Sequence, residues 1–405
     1  MAPSANLWTV GRFRLILLCG GVVGAVAATL SDPGRAQAAA AQDSPAFLLV
    51  AGLLLIGLVA QQDHLFETAG RWLSDRFQSD GLLLAMAMLL IGVVTATLNL
   101  DTSVAFLTPV LVQAGRQRPA LASPLLYGCV LLANAGSLLL PGSNLTNLIV
   151  LGPLHISGVD FLRRMSLPWA AALLITGAGV WWWGRRAPSA SAGAGAVVAG
   201  SQRPSPVAAR RVHADVNDGR ARPAVGLGLV GIAGAIGLVL AVRSPALPVL
   251  GLGLALILWR LARRRVSPGA VLEVLDLPVL IGLLGVAVGL GALARTWTGP
   301  AQLMGHLNSW ASAGLAAAAS VAVNNLPAAS LLGAGRLAHP YSVLVGLDLG
   351  PNLMVSGSLA WIIWLRTARQ AGAEPSIGRA VRLGAATAPL AMAAAVLMLW
   401  VTGPT

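Results

Sequence analysis

Apolar runs follow one another along nearly the whole chain, and several reach the roughly 20 residues that a helix needs to cross the hydrocarbon core of a bilayer. The first occupies 13–30 behind Arg12 and Arg14, and others lie at 46–62, 82–98, 122–140, 167–183, 224–242, 278–294 and 383–401. Further runs at 104–114, 145–154, 246–259, 309–323, 326–335, 341–355 and 358–365 are shorter or interrupted. Lipid offers no partner to an open strand edge, so such a pattern restricts the chain to helices. Only 10% of the 405 residues are charged and 56% are hydrophobic, whereas a water-facing domain carries about a quarter charged residues.

The net charge of +13 does not point to nucleic acid, because all 27 basic residues are arginines placed between apolar runs, as membrane topology requires. Cys19 and Cys129 lie in separate apolar runs and read as packing residues, with no disulfide framework and no metal site. The chain has no lysine and hence no phosphate-binding Gly-x-x-x-x-Gly-Lys loop. His64, His155, His213, His306 and His339 are scattered, without a His-Glu-x-x-His pair. The expectation is a transporter, not an enzyme, with no cofactor.

The short runs come in pairs broken by Asn, Pro, Gly and Ser at 99–103, 141–144, 324–327 and 356–358. Irregular backbone at membrane depth has to line a protein-enclosed cavity, and breaks at corresponding places in two halves mark a secondary transporter's binding site. The halves do correspond: 47–60 resembles 279–292, Asn99 matches Asn324, and 136–145 matches 350–359, at offsets of 232, 225 and 214. The predicted fold is an all-α polytopic membrane protein of two inverted repeats, each with a re-entrant helical hairpin and a broken transmembrane helix. Its parts are a first transmembrane helix with an external loop (1–45), a first repeat (46–183), a linker (184–222), linking transmembrane helices (223–277), and a second repeat with the C-terminal helix (278–405). A cleaved leader is the rival reading of the first run, since Ala36, Gln37 and Ala38 resemble a cleavage site. Residues 63–78 mix Phe66, Trp72, Leu73 and Phe77 with five charged residues, the pattern of an interfacial amphipathic helix.

With 99–103 and 324–327 as hairpin tips and the N-terminus in the cytoplasm, only Arg35, Arg163, Arg164, Arg243, Arg295 and Arg336 fall outside, leaving 21 of the 27 arginines inside. The positive-inside rule favours this orientation, with the C-terminus outside, in the cytoplasmic (inner) membrane. The first hairpin then enters from the cytoplasm and the second from outside. The linker 184–222, rich in Arg, Ser, Pro, Ala and Gly, is cytoplasmic and reads as disordered.

Candidate substrate-binding residues sit at the four breaks: Asn99, Thr102 and Ser103; Ser143 and Asn144; Asn324, Asn325 and Pro327; Gly357 and Ser358. Asn, Ser and Thr supply neutral hydrogen bonds, and half-helix N-termini add free N–H groups. The plainer alternative is capping, with Asp101 or Thr102 closing one helix start and the Asn-Asn-Leu-Pro stretch forming a cap and turn. Asp101 and Asp348 are the acids nearest the midplane, where a carboxylate is costly unless paired, protonated or functional; both are candidates for a coupling proton. Asp348 as an interfacial cap is the bland alternative. Asn99 and Asn325 are expected to meet at one shared site.

Asn324, Asn325, Leu326 and Pro327, the stretch Asp348 to Asn352 with Gly357 to Ala360, and Ser143 to Asn147 resemble signature segments of the arsenical pump membrane proteins, arsenite and antimonite permeases of the ion transporter superfamily. Leu65, Phe66 and Glu67, and Asp276 to Leu280, resemble the family's segments ahead of each hairpin, so the likeness covers about 46–370. It implies export of arsenite or antimonite driven by the membrane potential or a proton gradient, in a carrier that dimerises and in some cases works with a separate ATPase subunit. The chain departs from those permeases at Leu100 to Ser103, where they carry Asn-Asp-Gly, and lacks the Ser-Asn-Thr of the related sodium-coupled dicarboxylate and citrate carriers. Those anion carriers and a sodium/proton antiporter are the alternatives, and the partners expected besides lipid are a small metalloid or an anion.

Overall fold

The computed structural model describes residues 4–154, 156–186, 226–335 and 337–403, and these contain helices and no strand. Helix α1 spans Ser4–Ser31 and α2 spans Pro33–Gln62, which starts where the Asp32 carboxylate accepts the Arg35 N–H with Pro33 at its first position, a cap that needs no donor from proline. The first half continues with α3 (Leu65–Arg76), α4 (Asp80–Leu98), α5 (Leu100–Gln117), α6 (Ala122–Gly136), α7 (Leu145–Leu151) and α8 (Gly158–Arg186). Two connecting helices, α9 (Leu227–Ala241) and α10 (Ala246–Ala262), and the short α11 (Pro268–Leu275) lead to the second half. This comprises α12 (Leu277–Thr296), α13 (Gly299–His306), α14 (Ser309–Val323), α15 (Asn325–Leu332), α16 (Pro340–Leu349), α17 (Leu359–Gln370) and α18 (Ile377–Val401).

Among the described residues, seven stretches are long and apolar enough to cross a membrane: Arg14–Ser31, Pro33–Gln62, Asp80–Leu98, Pro119–Gly136, Gly158–Arg185, Pro268–Thr296 and Ile377–Val401. Leu174 is 71% exposed and Leu390 63%, an outer surface suited to lipid. The element order of the first half recurs in the second, so that α2 to α8 correspond in turn to α12 to α18. The amphipathic helix expected at 63–78 is α3, which buries Phe66, Gly70 and Leu73. Its counterpart α13 has no apolar run to announce it. Of the linker expected at 184–222, residues 187–222 lie outside the described residues, as do His155 and Arg336.

Ion pairs and charged hydrogen bonds divide the molecule into two ends. At one, Arg14 pairs with Asp276 at 2.5 Å, Asp63 holds Arg260 and accepts the Gly228 N–H, Arg116 donates to the Ala371 carbonyl, and Arg118 pairs with Asp80. At the other, Arg295 meets Gln42. Along α2 the two ends are 63 − 42 = 21 residues apart, about 30 Å at 1.5 Å per residue, the thickness of a hydrocarbon core.

Helix α1 lies along α12 through glycines. A Cβ on Gly21 would collide with the Gly282 carbonyl, and one on Gly282 would come within 2.7 Å of the Leu17 carbonyl oxygen, the close backbone approach by which helices associate in lipid. Packing also crosses between halves: α5 runs against α17, and α15 against α7.

Candidate functional site

Both hairpins turn on a single asparagine. Asn99 separates α4 from α5 at φ 111° and ψ 152°, and Asn324 separates α14 from α15 at φ 78° and ψ 150°. Positive φ is strained for most residues and best tolerated by Gly and Asn. Each asparagine then caps the arm that follows: Asn99 Oδ1 accepts the Asp101 N–H at 2.8 Å, and Asn324 Oδ1 accepts the Leu326 N–H at 3.4 Å. The caps are therefore the tip asparagines, and neither Asp101 nor Thr102 fills that role. The Asp101 side chain is half-buried and accepts no hydrogen bond from a described residue. Thr102 is buried with its hydroxyl unpartnered, and the Ser103 hydroxyl meets Thr95 Oγ1 at 2.7 Å and the Leu100 carbonyl at 2.9 Å.

The two broken helices differ. Between α6 and α7 the chain runs through residues 137–144, and Asn144 caps α7 at φ −149° and ψ 143°. Ser358 caps α17 with nearly the same backbone, φ −152° and ψ 147°, its hydroxyl accepting the Ala360 N–H. The second break runs from Gly350 to Ser358, within the stretch from Asp348 to Ser358 where Gly, Pro, Asn and Ser interrupt the second half. Two 3-10 turns, Gly350–Leu353 and Val355–Gly357, fill it, and buried Gly357 packs so closely on Pro351 that a Cβ would come 2.5 Å from its Cα. Trp361 Nε1 donates to the Pro351 carbonyl and Asn352 Nδ2 to the Leu131 carbonyl, which ties this backbone down.

Asp348 stands at the centre of a buried network joining the halves. It is fully buried in the last turn of α16, and all its hydrogen bonds come from the first break: Asn144 Nδ2 at 2.9 Å and Thr146 Oγ1 at 2.8 Å to one oxygen, Ser137 Oγ at 3.0 Å to the other. An interfacial cap is thereby excluded. Ser143 Oγ donates to the Ser137 carbonyl and, at 2.5 Å, to that of Leu140; Asn147 Nδ2 donates to the Ser137 carbonyl at 2.8 Å. Asn134, at the position equivalent to Asp348 (348 − 134 = 214, the offset of the breaks), donates to Asn352 Oδ1 at 2.8 Å. The carbonyl oxygens of the Asn134 and Asn147 side chains remain buried without a partner.

No arginine or histidine takes part in these bonds; the ion pairs among the described residues are Arg14–Asp276, Arg35–Asp32, Arg118–Asp80 and Arg260–Asp63. An ionised carboxylate without a counter-ion in a dry site survives only through such donors. Among the described residues no three of His, Cys, Asp and Glu come together as metal ligands.

Among the described residues the two tips share no hydrogen bond. Each lies against the break of its own half. Helix α4 packs on the 3-10 turn Pro141–Ser143, while Asn324 Nδ2 donates to the Ser356 carbonyl at 3.1 Å and Ser356 Oγ to the Val321 carbonyl. Every bond of Asn99 is local because the cap at Asp101 uses its oxygen. Buried Asn325 has no hydrogen-bond partner among the described residues, and Pro327 stands in the first turn of α15. Ser137, Thr146, Asn147 and Asn352 lie in the interrupted segments without having been singled out as binding residues, and Asn134 lies outside them but was traceable through its offset from Asp348.

The sequence model of a family described as citrate transporter matches residues 7–364. No curated protein matches. Among solved structures, the Alcanivorax borkumensis YdaH transporter, described as having an unusual topology, is 15% identical over 97% of this chain and 90% of that one, with a TM-score of 0.48, a likeness too slight to add to the fold already described.

Proposed function

The chain belongs to the citrate transporter family, and from that premise we propose that this membrane transporter exports trivalent arsenic or antimony as the uncharged hydroxy acid. The observation that carries the reading is the Asp348 network: a buried carboxylate held by hydroxyl and amide groups, with no cationic side chain bonded to it. A multiply charged anion entering such a site would face an acid and no fixed counter-charge. A neutral molecule bearing several hydroxyls exchanges hydrogen bonds with amides and hydroxyls at little electrostatic cost. The side chains of Asn325 and Thr102, both buried and without hydrogen-bond partners among the described residues, offer such groups near the tips. Asp348 and Asp101 are the candidates to carry the coupling proton. Inverted repeats entering from opposite faces, with the N-terminus inside, would let the site open to one side at a time.

The second reading is proton- or sodium-coupled transport of a citrate-like anion. It is favoured by the family's description and by the capped N-termini of α5, α15 and α17, whose free N–H groups suit carboxylates. Expression in a metalloid-sensitive bacterial host separates the two. Raised arsenite tolerance with lowered cell-associated arsenic, and no citrate uptake, is the expected outcome; citrate or succinate uptake with unchanged tolerance would hand the function to the second reading.

A further inference from the structure

At the end of the molecule away from Asp63, three helix C-termini converge on two adjacent residues of α2. Gln42 Nε2 donates to the Ile149 carbonyl of α7 at 3.0 Å and to the Gly333 carbonyl closing α15 at 3.1 Å. Both acceptors are left over by their helices: the residue four positions beyond Ile149 is Pro153, which has no N–H, and α15 ends at Leu332. Gln42 Oε1 accepts from Arg295 Nη2 at 2.6 Å, and Arg295 Nη1 also bonds the Gly291 carbonyl in the last turns of α12. One glutamine thus binds together α2, α12, the end of the first half's broken helix (α7) and the second arm of the second hairpin (α15).

Beside it lies an acid that the site described above does not use. Asp43 is 2% exposed and accepts no hydrogen bond from a described residue, and its Oδ2 is sealed and unpartnered. A Cβ built on Gly291 would lie 3.2 Å from Arg295 Nη1 and 3.6 Å from Asp43 Oδ2. Acid and guanidinium therefore face each other across a missing side chain, without closing to an ion pair.

Among the described residues, the other charges on elements packed against α2 are remote or already engaged. Arg35 and Asp32, at the α1–α2 turn, pair with each other; α7 has no charged residue, and Arg243 after α9 is exposed. The charges of α3, Asp80 on α4, Arg116 on α5, Arg260 on α10, Glu273 on α11, and Arg12 and Arg14 on α1 belong to the opposite end, and Asp101 sits at the hairpin tip between.

We propose that Asp43 carries a proton in the transport cycle by controlling a latch, formed by Gln42 and Arg295, that holds α7 and α15 against the α2–α12 pair. With Arg295 committed to Gln42, the bare Asp43 oxygen is tolerable in its acid form and uncompensated as an anion. Releasing the latch admits water and frees Arg295 to face the ionised acid. Protons therefore favour the latched state, and rising pH favours release. The role in a cycle rests on the transporter reading; the latch itself does not.

Hydrogen exchange on the full chain in lipid nanodiscs at pH 6 and 8, corrected for intrinsic rates, tests it without any substrate. In the unmodified protein, exchange at the ends of α7 and α15 should be faster at pH 8. Asp43→Asn should be slow at both values, and Gln42→Ala fast at both by roughly tenfold, about 1.4 kcal/mol. Gln42→Glu, which keeps an acceptor for Arg295 and loses only the amide donors, serves if the alanine variant does not fold, and should likewise be fast. An unmodified pH response in Asp43→Asn, or unchanged exchange in the Gln42 variants, overturns the proposal. Arsenite export could fail while this result stands.

Discussion

Replacing Asp348 by Asn and by Leu separates what its carboxylate does for the fold from what its charge does for transport. In Asp348→Leu, Asn144 Nδ2 and Thr146 Oγ1 lose their acceptor, whereas Ser137 Oγ keeps the Asn134 carbonyl at 2.8 Å. Two buried donors left unpaired cost about 1–3 kcal/mol each, so the loss is about 2–6 kcal/mol. Asp348→Asn keeps one oxygen for Asn144 and Thr146, and its new amide can donate to Ser137 Oγ while that hydroxyl turns to Asn134. Its cost is about 1 kcal/mol, the charge assistance of the bonds. Melting of the purified protein should therefore place Asn close to the unmodified chain and Leu well below it. Transport measured between pH 6 and 8 should lose its pH dependence in Asp348→Asn, because an amide cannot titrate. Equal destabilisation by Asn and Leu would refute the hydrogen-bond reasoning, and a stable Asp348→Asn with an unaltered pH profile would remove Asp348 as proton carrier and leave Asp101.

Asp63→Ala strands Arg260, which is 5% exposed, and should cost about 3–5 kcal/mol, much of it recovered in the double variant with Arg260→Met, as melting curves would register. Single cysteines placed within 184–222 should react with an impermeant maleimide only after the membrane is opened; labelling from the periplasm would reverse the proposed orientation.

How far the sequence could be read is clearest at the asparagines. Asn99 and Asn324 stood out because each interrupts an apolar run at the same place in its half, and a break in periodicity is a local signal. What the breaks touch was not local. Asp348 was visible as a lone acid in an apolar run, yet its partners lie 202 to 211 residues earlier, and nothing in one chain's periodicity links them. The same holds for Gln42, an ordinary polar residue near the start of α2 whose bonds reach 107 and 291 residues ahead. For Asn99 and Asn325 sequence correspondence says that the two tips are equivalent, not that they touch, and no hydrogen bond joins them. The extent of the second break, by contrast, was legible, because Gly350, Pro351 and Asn352 and then Ser356, Gly357 and Ser358 punctuate both its ends.

The dependence of the first break on Asp348 also sets a clock on the nascent chain. When Ser137, Asn144 and Thr146 enter the membrane, the acid that accepts their hydrogen bonds has not been translated. At about 5–20 residues per second, the 211 residues from Ser137 to Asp348 take roughly 10–40 s. For that interval the ribosome-bound half must be sheltered by the insertion machinery or by water held in the gap, and the first half expressed alone would stay in that unfinished condition.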